Sequence, residues 1–178
     1  MWTKALLIIK LDAVVNYLNA YGGGSENDTE TILERIFNRF HHVVRQLRNR
    51  HDSRETLDVQ DEYDVQDLLH AILKLYFDDI RPEEWSPSHA GSSTKMDFLL
   101  KDEKLVIEIK KASNKLKDKK IGEQLISDIA HYREHPDCRT LVCFIYDPEG
   151  IIGNPGAIRK DLAKNSTQDF LIKVIIAP

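Results

Sequence analysis

Two long apolar runs near the carboxyl end of the chain restrict its possible folds more than any other feature. TLVCFIY and FLIKVIIA cover residues 140–146 and 170–177 and contain almost no charged side chains. A strand that is apolar along its whole length is buried on both faces, which places it in the interior of a sheet covered by helices. The two runs therefore predict an α/β fold with a central sheet.

A hairpin is predicted upstream of these strands. MDFLL and KLVIEIK are short apolar runs at residues 96–100 and 104–110, and the polar turn KDEK connects them. β-Branched residues are typical of strands, and the second run contains Val106, Ile107 and Ile109. The hairpin thus adds two strands to the predicted sheet.

Helices are predicted before and between these strands because apolar residues recur there with a period of 3.6. Tyr76 is expected in the buried stripe of the third helix, together with Val65, Leu68, Leu69, Ile72 and Leu73. The expected helices lie in residues 1–21, from Thr29 onward, from about Asp61 to Phe77, around 121–135 and near 157–164. The predicted fold class is α/β, with a mixed central sheet flanked by helices and an N-terminal helical extension.

Three charged residues of the hairpin have a spacing that suits phosphodiester chemistry. Asp97 begins the first strand, and Glu108 and Lys110 lie two apart in the second, so they share one face of it. Two carboxylates supply the hard oxygen ligands that Mg²⁺ prefers, and such a metal polarises a phosphate. Lys110 would offset the charge that grows on phosphorus. The alternative is an exposed hairpin whose charged side chains face water.

The same segments resemble a known group of nucleases. The resemblance covers roughly residues 57 to 150 and rests on MDFLL, LVIEIKKA and GEQLISDIAHYREHPDCRTLVCFIYDPEG, with DEYDVQDLLHAILKLYFDD before them. These segments are similar to the PD-(D/E)XK nuclease superfamily, and more narrowly to DpnII/MboI-like restriction endonuclease domains. The resemblance implies Asp97 and Glu108 as metal ligands and Lys110 as catalytic lysine, with Mg²⁺ as cofactor and Mn²⁺ as a substitute. Met96 stands where the superfamily name has proline.

Further site candidates lie on both sides of the hairpin. Read backward, the buried stripe of the third helix leads to Glu62. Similar nucleases have a further acidic metal ligand on this helix; the alternative is that Glu62 only interacts favourably with the helix dipole in the first turn. Gln124 matches a glutamine that similar nucleases direct toward the active site, or it faces solvent. A basic run either contacts nucleic acid or is a solvated loop; its members are Lys111, Lys115, Lys117, Lys119 and Lys120.

Composition limits the partners and the location of the protein. With a net charge of -4 and a pI near 6.0, nucleic-acid contact requires a local basic patch. The apolar N-terminal stretch is interrupted by Lys4, Lys10 and Asp12, so it is too charged to span a bilayer, and no membrane association is expected. Cys138 and Cys143 are odd-spaced in an expected strand and cannot bridge, and reduced thiols indicate a cytoplasmic protein.

These observations predict a Mg²⁺-dependent DNA endonuclease that serves restriction or anti-phage defence. Residues 57–178 are expected to form the nuclease domain and residues 1–56 the helical extension, whose first helix packs on the domain or on another subunit. A homodimer that cuts both strands is expected, or a component of a larger defence complex. The competing hypothesis is a nuclease fold kept as a non-catalytic module for nucleic-acid binding or complex assembly. The three hairpin residues Asp97, Glu108 and Lys110 argue against it.

Overall fold

A computed structural model describes residues 28–87 and 93–178 of the chain. The described helices are α1 (Thr29–Arg48), α2 (Glu62–Leu73), α3 (Asp118–Tyr132) and α4 (Pro155–Ala163). The strands are β1 (Ile80–Pro82), β2 (Phe98–Leu100), β3 (Leu105–Lys111), β4 (Thr140–Tyr146) and β5 (Leu171–Ala177). The helix expected in residues 1–21 and the glycines after it lie outside the described residues.

The strands form one mixed sheet in the order β1-β2-β3-β4-β5. β1 and β3 each run antiparallel to β2, which lies between them, whereas β3, β4 and β5 run parallel to one another. Parallel neighbours require helical crossovers, which α3 and α4 provide. The α/β class with a mixed sheet and flanking helices is therefore confirmed, as is the interior position of the apolar strand β4. The interior position expected for the second apolar run was wrong, because among the strands that the structure describes β5 lies at an edge, pairs only with β4 and is half-buried along most of its length.

Helix α1 packs on one face of β4 through aromatic side chains. Phe37 stacks on Phe144 with ring centroids 4.5 Å apart, and Phe40 meets the rings of Phe144 and Tyr146 edge-on at 5.5 Å and 5.1 Å. The Nδ1 atom of His41 lies 2.9 Å from the Tyr146 hydroxyl. Buried aromatic pairs of this kind contribute strongly to stability, so this face anchors the helix to the sheet.

Helices α3 and α4 cover the other face of the sheet. Asn154 caps the start of α4 by accepting a hydrogen bond from Ala157 N at 2.9 Å, and Pro155 occupies the first turn, where its missing N–H is harmless. The apolar core between helices and sheet includes Leu99, Val106, Ile121, Leu125, Ile129, Tyr132, Leu141, Cys143, Ile145, Ile158, Leu162 and Ile172.

Helix α2 differs in length from the prediction. It begins with a capping box in which Asp61 accepts from Tyr63 N and Asp64 N, while Asp64 accepts from Asp61 N. It ends at Leu73 instead of Phe77. The prediction that Tyr76 is buried was therefore wrong, because the chain has left the helix there and the side chain is 54% exposed.

Strand β1 and the position of Cys138 were also not foreseen. β1 pairs with β2 at the edge of the sheet. Pro82 is tolerated there because, in the part of the chain that the structure describes, no further strand pairs with β1 and requires the N–H that proline lacks. Cys138 precedes β4 instead of lying in it, so the alternation argument does not apply to it. Both cysteines are nevertheless free, as expected, and both are buried. None of the helices in the described ranges has the length and apolar character needed to cross a membrane.

Candidate active site

The register of the β2–β3 hairpin brings Asp97 beside Glu108. Phe98 pairs with Ile107, so one further step along each chain places Asp97 opposite Glu108. Asp97 lies just before β2 and not within it. Its Oδ2 atom accepts a hydrogen bond from Ile109 N at 2.6 Å, and its Oδ1 atom accepts one from Gln66 Nε2 at 2.7 Å. Two donors from separate elements thus hold this carboxylate beside β3.

Glu108 is buried on the α3 side of the sheet and has a donor for each carboxylate oxygen. Lys110 Nζ donates to Oε1 at 2.6 Å, and the Tyr132 hydroxyl donates to Oε2 at 2.6 Å. The hydroxyl of Tyr132 also lies 3.1 Å from Lys95 O. Glu108 and Lys110 share a strand face, as the period of two predicts, and α3 supplies the second donor.

Glu62, at the start of α2, reaches the same cluster. Its Oε2 atom accepts from Lys111 N at 3.3 Å, and its Oε1 atom lies 3.6 Å from Lys110 Nζ. A fourth carboxylate comes from α3, where Asp128 Oδ2 is 4.0 Å from the same ammonium. Lys110 is therefore surrounded by carboxylates from β3, α2 and α3.

Burial is the main cause of the raised pKa values of the two hairpin carboxyl groups. It raises the pKa of Asp97 to about 8, and the charge of Glu108 adds to the rise, against the hydrogen bond from Ile109 N and the charge of Lys110. Burial also raises the pKa of Glu108 to about 7, while Lys110 opposes the change. Near neutral pH these groups therefore hold protons that exposed carboxyl groups would have released.

The other charged groups of the cluster respond to the same surroundings. Burial raises the pKa of Glu62 and of Asp128 above their ordinary values, although Lys110 opposes both shifts. Burial alone would lower the pKa of Lys110, but the charges of Glu108 and Glu62 outweigh it and raise the pKa. The lysine therefore stays protonated, and its ammonium is the cation that balances the cluster.

The structure brings four of the predicted site residues together and leaves the others outside the cluster. Asp97, Glu108, Lys110 and Glu62 meet as described above. Gln124 is exposed on α3, and no hydrogen bond joins it to these groups within the described ranges, so its role stays a prediction. The predicted lysines include Lys111, which is half-buried, and four that are exposed: Lys115, Lys117, Lys119 and Lys120.

Three contacting residues were not among the predicted site residues. Asp128 and Tyr132 follow Gln124 at successive intervals of four, so helical spacing already placed all three on one side of α3. Gln66 follows Glu62 by one turn of α2 in the same way. Helical spacing was therefore the signal that could have identified them, but it does not show where along a helix the side chains reach the sheet.

The donor set fits a divalent cation, although it is not a ready cage of protein ligands. Within residues 28–87 and 93–178, no three His, Cys, Asp or Glu side chains are grouped as direct metal ligands. Three carboxyl groups nevertheless lie within 4.0 Å of the Lys110 ammonium, and Asp97 interacts with it electrostatically, so acidic groups outnumber the cation in a largely buried place. Mg²⁺ needs only one or two protein carboxylates, since water and substrate oxygens fill its other positions. Asp97 and Glu108 satisfy that requirement.

Comparison with known proteins identifies one family. The family model described as REase_DpnII-MboI matches residues 31–178. No curated protein and no solved structure matches the chain. The matched range includes nearly all of α1, so it extends beyond residues 57–150, where the resemblance was recognised from sequence.

Proposed function

This chain belongs to the DpnII-MboI restriction endonuclease family, and on that premise we propose that it cleaves DNA with the help of a divalent cation at Asp97 and Glu108. Mg²⁺ is the proposed ion, with Mn²⁺ as a substitute. DNA cleavage follows from the family. The observation that supports the metal and the site is the buried cluster in which Glu108 and Asp97 each receive two hydrogen bonds.

We propose Asp97 and Glu108 as the principal ligands and Glu62 as a third carboxylate. When bound, the cation neutralises the carboxylates and polarises the scissile phosphate as a Lewis acid. Mutual repulsion and burial disfavour the ionised carboxylates in its absence, so ion binding and proton release are coupled.

The remaining residues act by charge and by position. Lys110 keeps its proton and can offset the negative charge that develops on the phosphate during attack. Gln66 and the backbone N–H of Ile109 fix the carboxylate of Asp97, and Tyr132 fixes that of Glu108. Such supporting hydrogen bonds orient ligands and restrict their motion. Gln124 lies on the same side of α3 as Tyr132, and we propose that its exposed side chain contacts the substrate.

Substrate binding is assigned to the lysines between β3 and α3. Lys115, Lys117 and Lys120 are exposed, and in an acidic chain they supply the local positive charge that a phosphate backbone requires. Lys119 is partly neutralised by Glu123, which lies 3.8 Å away. Lys111 is the member closest to the site, because its backbone N–H binds Glu62.

A homodimer, or membership of a larger defence complex, completes the proposal. Two active sites are needed to cut both strands of a duplex in one encounter. We propose residues 1–56 as an extension of the nuclease domain, and the amphipathic sequence stripe within residues 1–21 as the contact between subunits. Free cysteines suit a cytoplasmic protein. Asp replacements of Leu11, Val14 and Leu18 should halve the mass measured by light scattering. An unchanged mass would remove this contact from the proposal.

The central test is cleavage of plasmid and linear DNA with Mg²⁺, with Mn²⁺ and with a chelator. Glu108→Gln keeps the shape of the side chain but removes its charge, so the cleavage rate should fall by more than about 100-fold. Glu134→Gln, which changes an exposed residue just after α3, is the matched control and should cut like wild type. A folded Glu108→Gln protein that cuts DNA at the wild-type rate would refute the assignment. DNA cleavage by the wild-type protein in chelator would refute the proposed dependence on a divalent cation.

A further inference from the structure

The solvent face of α1 carries an arginine stripe. We define this stripe as Arg35, Arg39 and Arg45, which lie on the side of the helix opposite the buried Phe37 and Phe40. Other exposed polar side chains on the same face of the helix are Asn38, His42, Gln46 and Asn49. From Arg35 to Asn49 the exposed residues include no Asp or Glu. Every polar group on this face can donate a hydrogen bond to an anion.

The stripe belongs to a strongly basic part of an acidic chain. The whole sequence has 29 acidic and 25 basic residues, counting Asp and Glu against Lys and Arg. Residues 34–54 alone contain six arginines and only two acidic residues, Glu34 and Asp52. Positive charge is therefore concentrated on α1 and the segment that follows it, and this local field attracts polyanions even though the net charge is negative.

The three arginines of the stripe have no carboxylate partner among the described residues. Arg48, on the flank of the helix, pairs with Asp58 at 3.0 Å, whereas Arg35, Arg39 and Arg45 form no such pair within the described ranges. Helices whose charged face only contacts water commonly pair opposite charges three or four residues apart. Guanidinium groups without carboxylate partners are instead suited to phosphate, which they bind with two parallel hydrogen bonds.

The carboxyl-terminal half of α1 lies at the same end of the sheet as the candidate active site. His41 contacts the hydroxyl of Tyr146, and Tyr146 pairs in register with Lys111, the last residue of β3. Lys111 is next to Lys110 and binds Glu62 through its backbone N–H. The carboxyl-terminal end of the stripe, at Arg45, is therefore nearest the strand end that carries the charged cluster, on the opposite face of the sheet, and the stripe extends from there back toward Arg35.

We propose that the arginine stripe binds the phosphate backbone of the substrate duplex to one side of the bond that is cut. This inference rests on the proposed DNA cleavage and adds a second contact surface to the lysines between β3 and α3. Arg35 and Arg45 are ten residues apart, or about 15 Å along a helix axis. That distance corresponds to about four base pairs of duplex. Because the contacts are to phosphates, they are independent of base sequence.

The test measures duplex affinity in chelator, so that binding is observed without cleavage. The variant replaces Arg35, Arg39 and Arg45 together by Gln, and the duplex is about 20 base pairs long. Each lost phosphate contact should lower the slope of log affinity against log salt by about 0.9, so the triple variant should lose about two to three units of slope. Replacing the same three residues by Lys keeps the charge and should retain most of the slope.

A matched control removes three positive charges elsewhere. Lys104, Lys160 and Lys164 lie in the hairpin turn at the other end of β3 and on or just after α4, which covers the face of the sheet opposite α1. Their joint replacement by Gln should leave the slope unchanged. All substituted side chains are exposed, so thermal melts of both triple variants should match wild type.

Each other outcome overturns a defined part of the inference. If the arginine variant keeps the wild-type slope while wild type binds the duplex, the stripe is a solvated face and only this inference fails. If the control loses as much slope, the effect is one of net charge and the stripe has no special role. A changed mass in light scattering would make the stripe a subunit contact and refute the inference. Failure of wild type to bind any duplex would refute the proposed function itself.

Discussion

The two faces of the β3–β4 strand pair are built from opposite chemistry. On the α1 face, β4 presents Phe144 and Tyr146 to aromatic rings of the helix. On the α3 face, β3 presents Glu108 and Lys110, and the hydroxyl of Tyr132 reaches into the same cluster. Neighbouring strands therefore carry an apolar contact on one side and buried ionisable groups on the other.

The difference between the faces separates what holds the fold from what the site requires. Buried aromatic rings contribute to stability directly. Buried carboxylates do not, because their desolvation opposes folding unless partners compensate fully. Burial raises the pKa of Asp97 and of Glu108, so their hydrogen bonds and the charge of Lys110 do not compensate fully for desolvation of the ionised forms. A cluster of this kind is typical of functional sites, and the aromatic face contributes stability that offsets its cost.

The largest expected effect on stability comes from the aromatic face. Phe37→Ala removes a fully buried ring that stacks on Phe144, so the free energy of unfolding should fall by about 3–5 kcal/mol. Val43→Ala on the same helix changes a side chain that is 37% exposed and should cost less than about 1 kcal/mol. Chemical denaturation measures both. Equal losses for the two variants would contradict the assignment of α1 to the core.

The next prediction concerns the charged face and its dependence on pH. Burial raises the pKa of Asp97 from 3.8 to about 8, so between these pH values the folded protein keeps a proton that the unfolded chain has released. Stability of the metal-free protein should therefore fall as pH rises from about 4 to about 8. Asp97→Asn cannot ionise, and it should melt higher than wild type at pH 8 while cutting no DNA.

Thermal melts across this pH range, in chelator and in Mg²⁺, test the prediction. Saturating Mg²⁺ should raise the melting temperature of wild type at pH 8 and leave that of Asp97→Asn nearly unchanged, because binding to the folded state stabilises it. The control is Asp102→Asn, in the exposed hairpin turn, which should follow the wild-type curve. If Asp97→Asn loses stability with pH as steeply as wild type, the carboxyl is not the titrating group.

Much of the fold could be predicted because its signals are local. The β4 prediction from the run TLVCFIY matches the observed strand, and the hairpin and the start of α1 near Thr29 were also correct. The end of α2 and the edge strand β1 were not, because both depend on tertiary contacts. Periodicity continues past Leu73 although the helix stops there, and a three-residue strand has no pattern of its own.

The candidate site could be predicted where alternation decides which side chains share a face. Glu108 and Lys110 follow from a period of two, and the hairpin adds Asp97. On α3 the spacing of four placed Gln124, Asp128 and Tyr132 on one side without showing which reaches the sheet. The distance between helix and sheet at each turn decides which side chains reach the cluster. Asp128 and Tyr132 reach it, whereas Gln124, one turn nearer the amino end of α3, is exposed.

The smallest expected effect comes from a pair of tyrosines, one on each face. Tyr132→Phe removes the hydrogen bond to Glu108 Oε2, and Tyr146→Phe removes the one with His41. Both variants keep the ring and lose one hydroxyl, so their effects on packing are matched. Loss of the donor leaves the Glu108 carboxylate less well held, and the Mg²⁺ concentration for half-maximal cleavage should rise by about tenfold. Tyr146→Phe should leave that concentration unchanged, since its hydroxyl lies on the opposite side of the sheet. Titration of cleavage rate against Mg²⁺ measures the difference, and equal curves for the two variants would mean that Tyr132 only packs in the core.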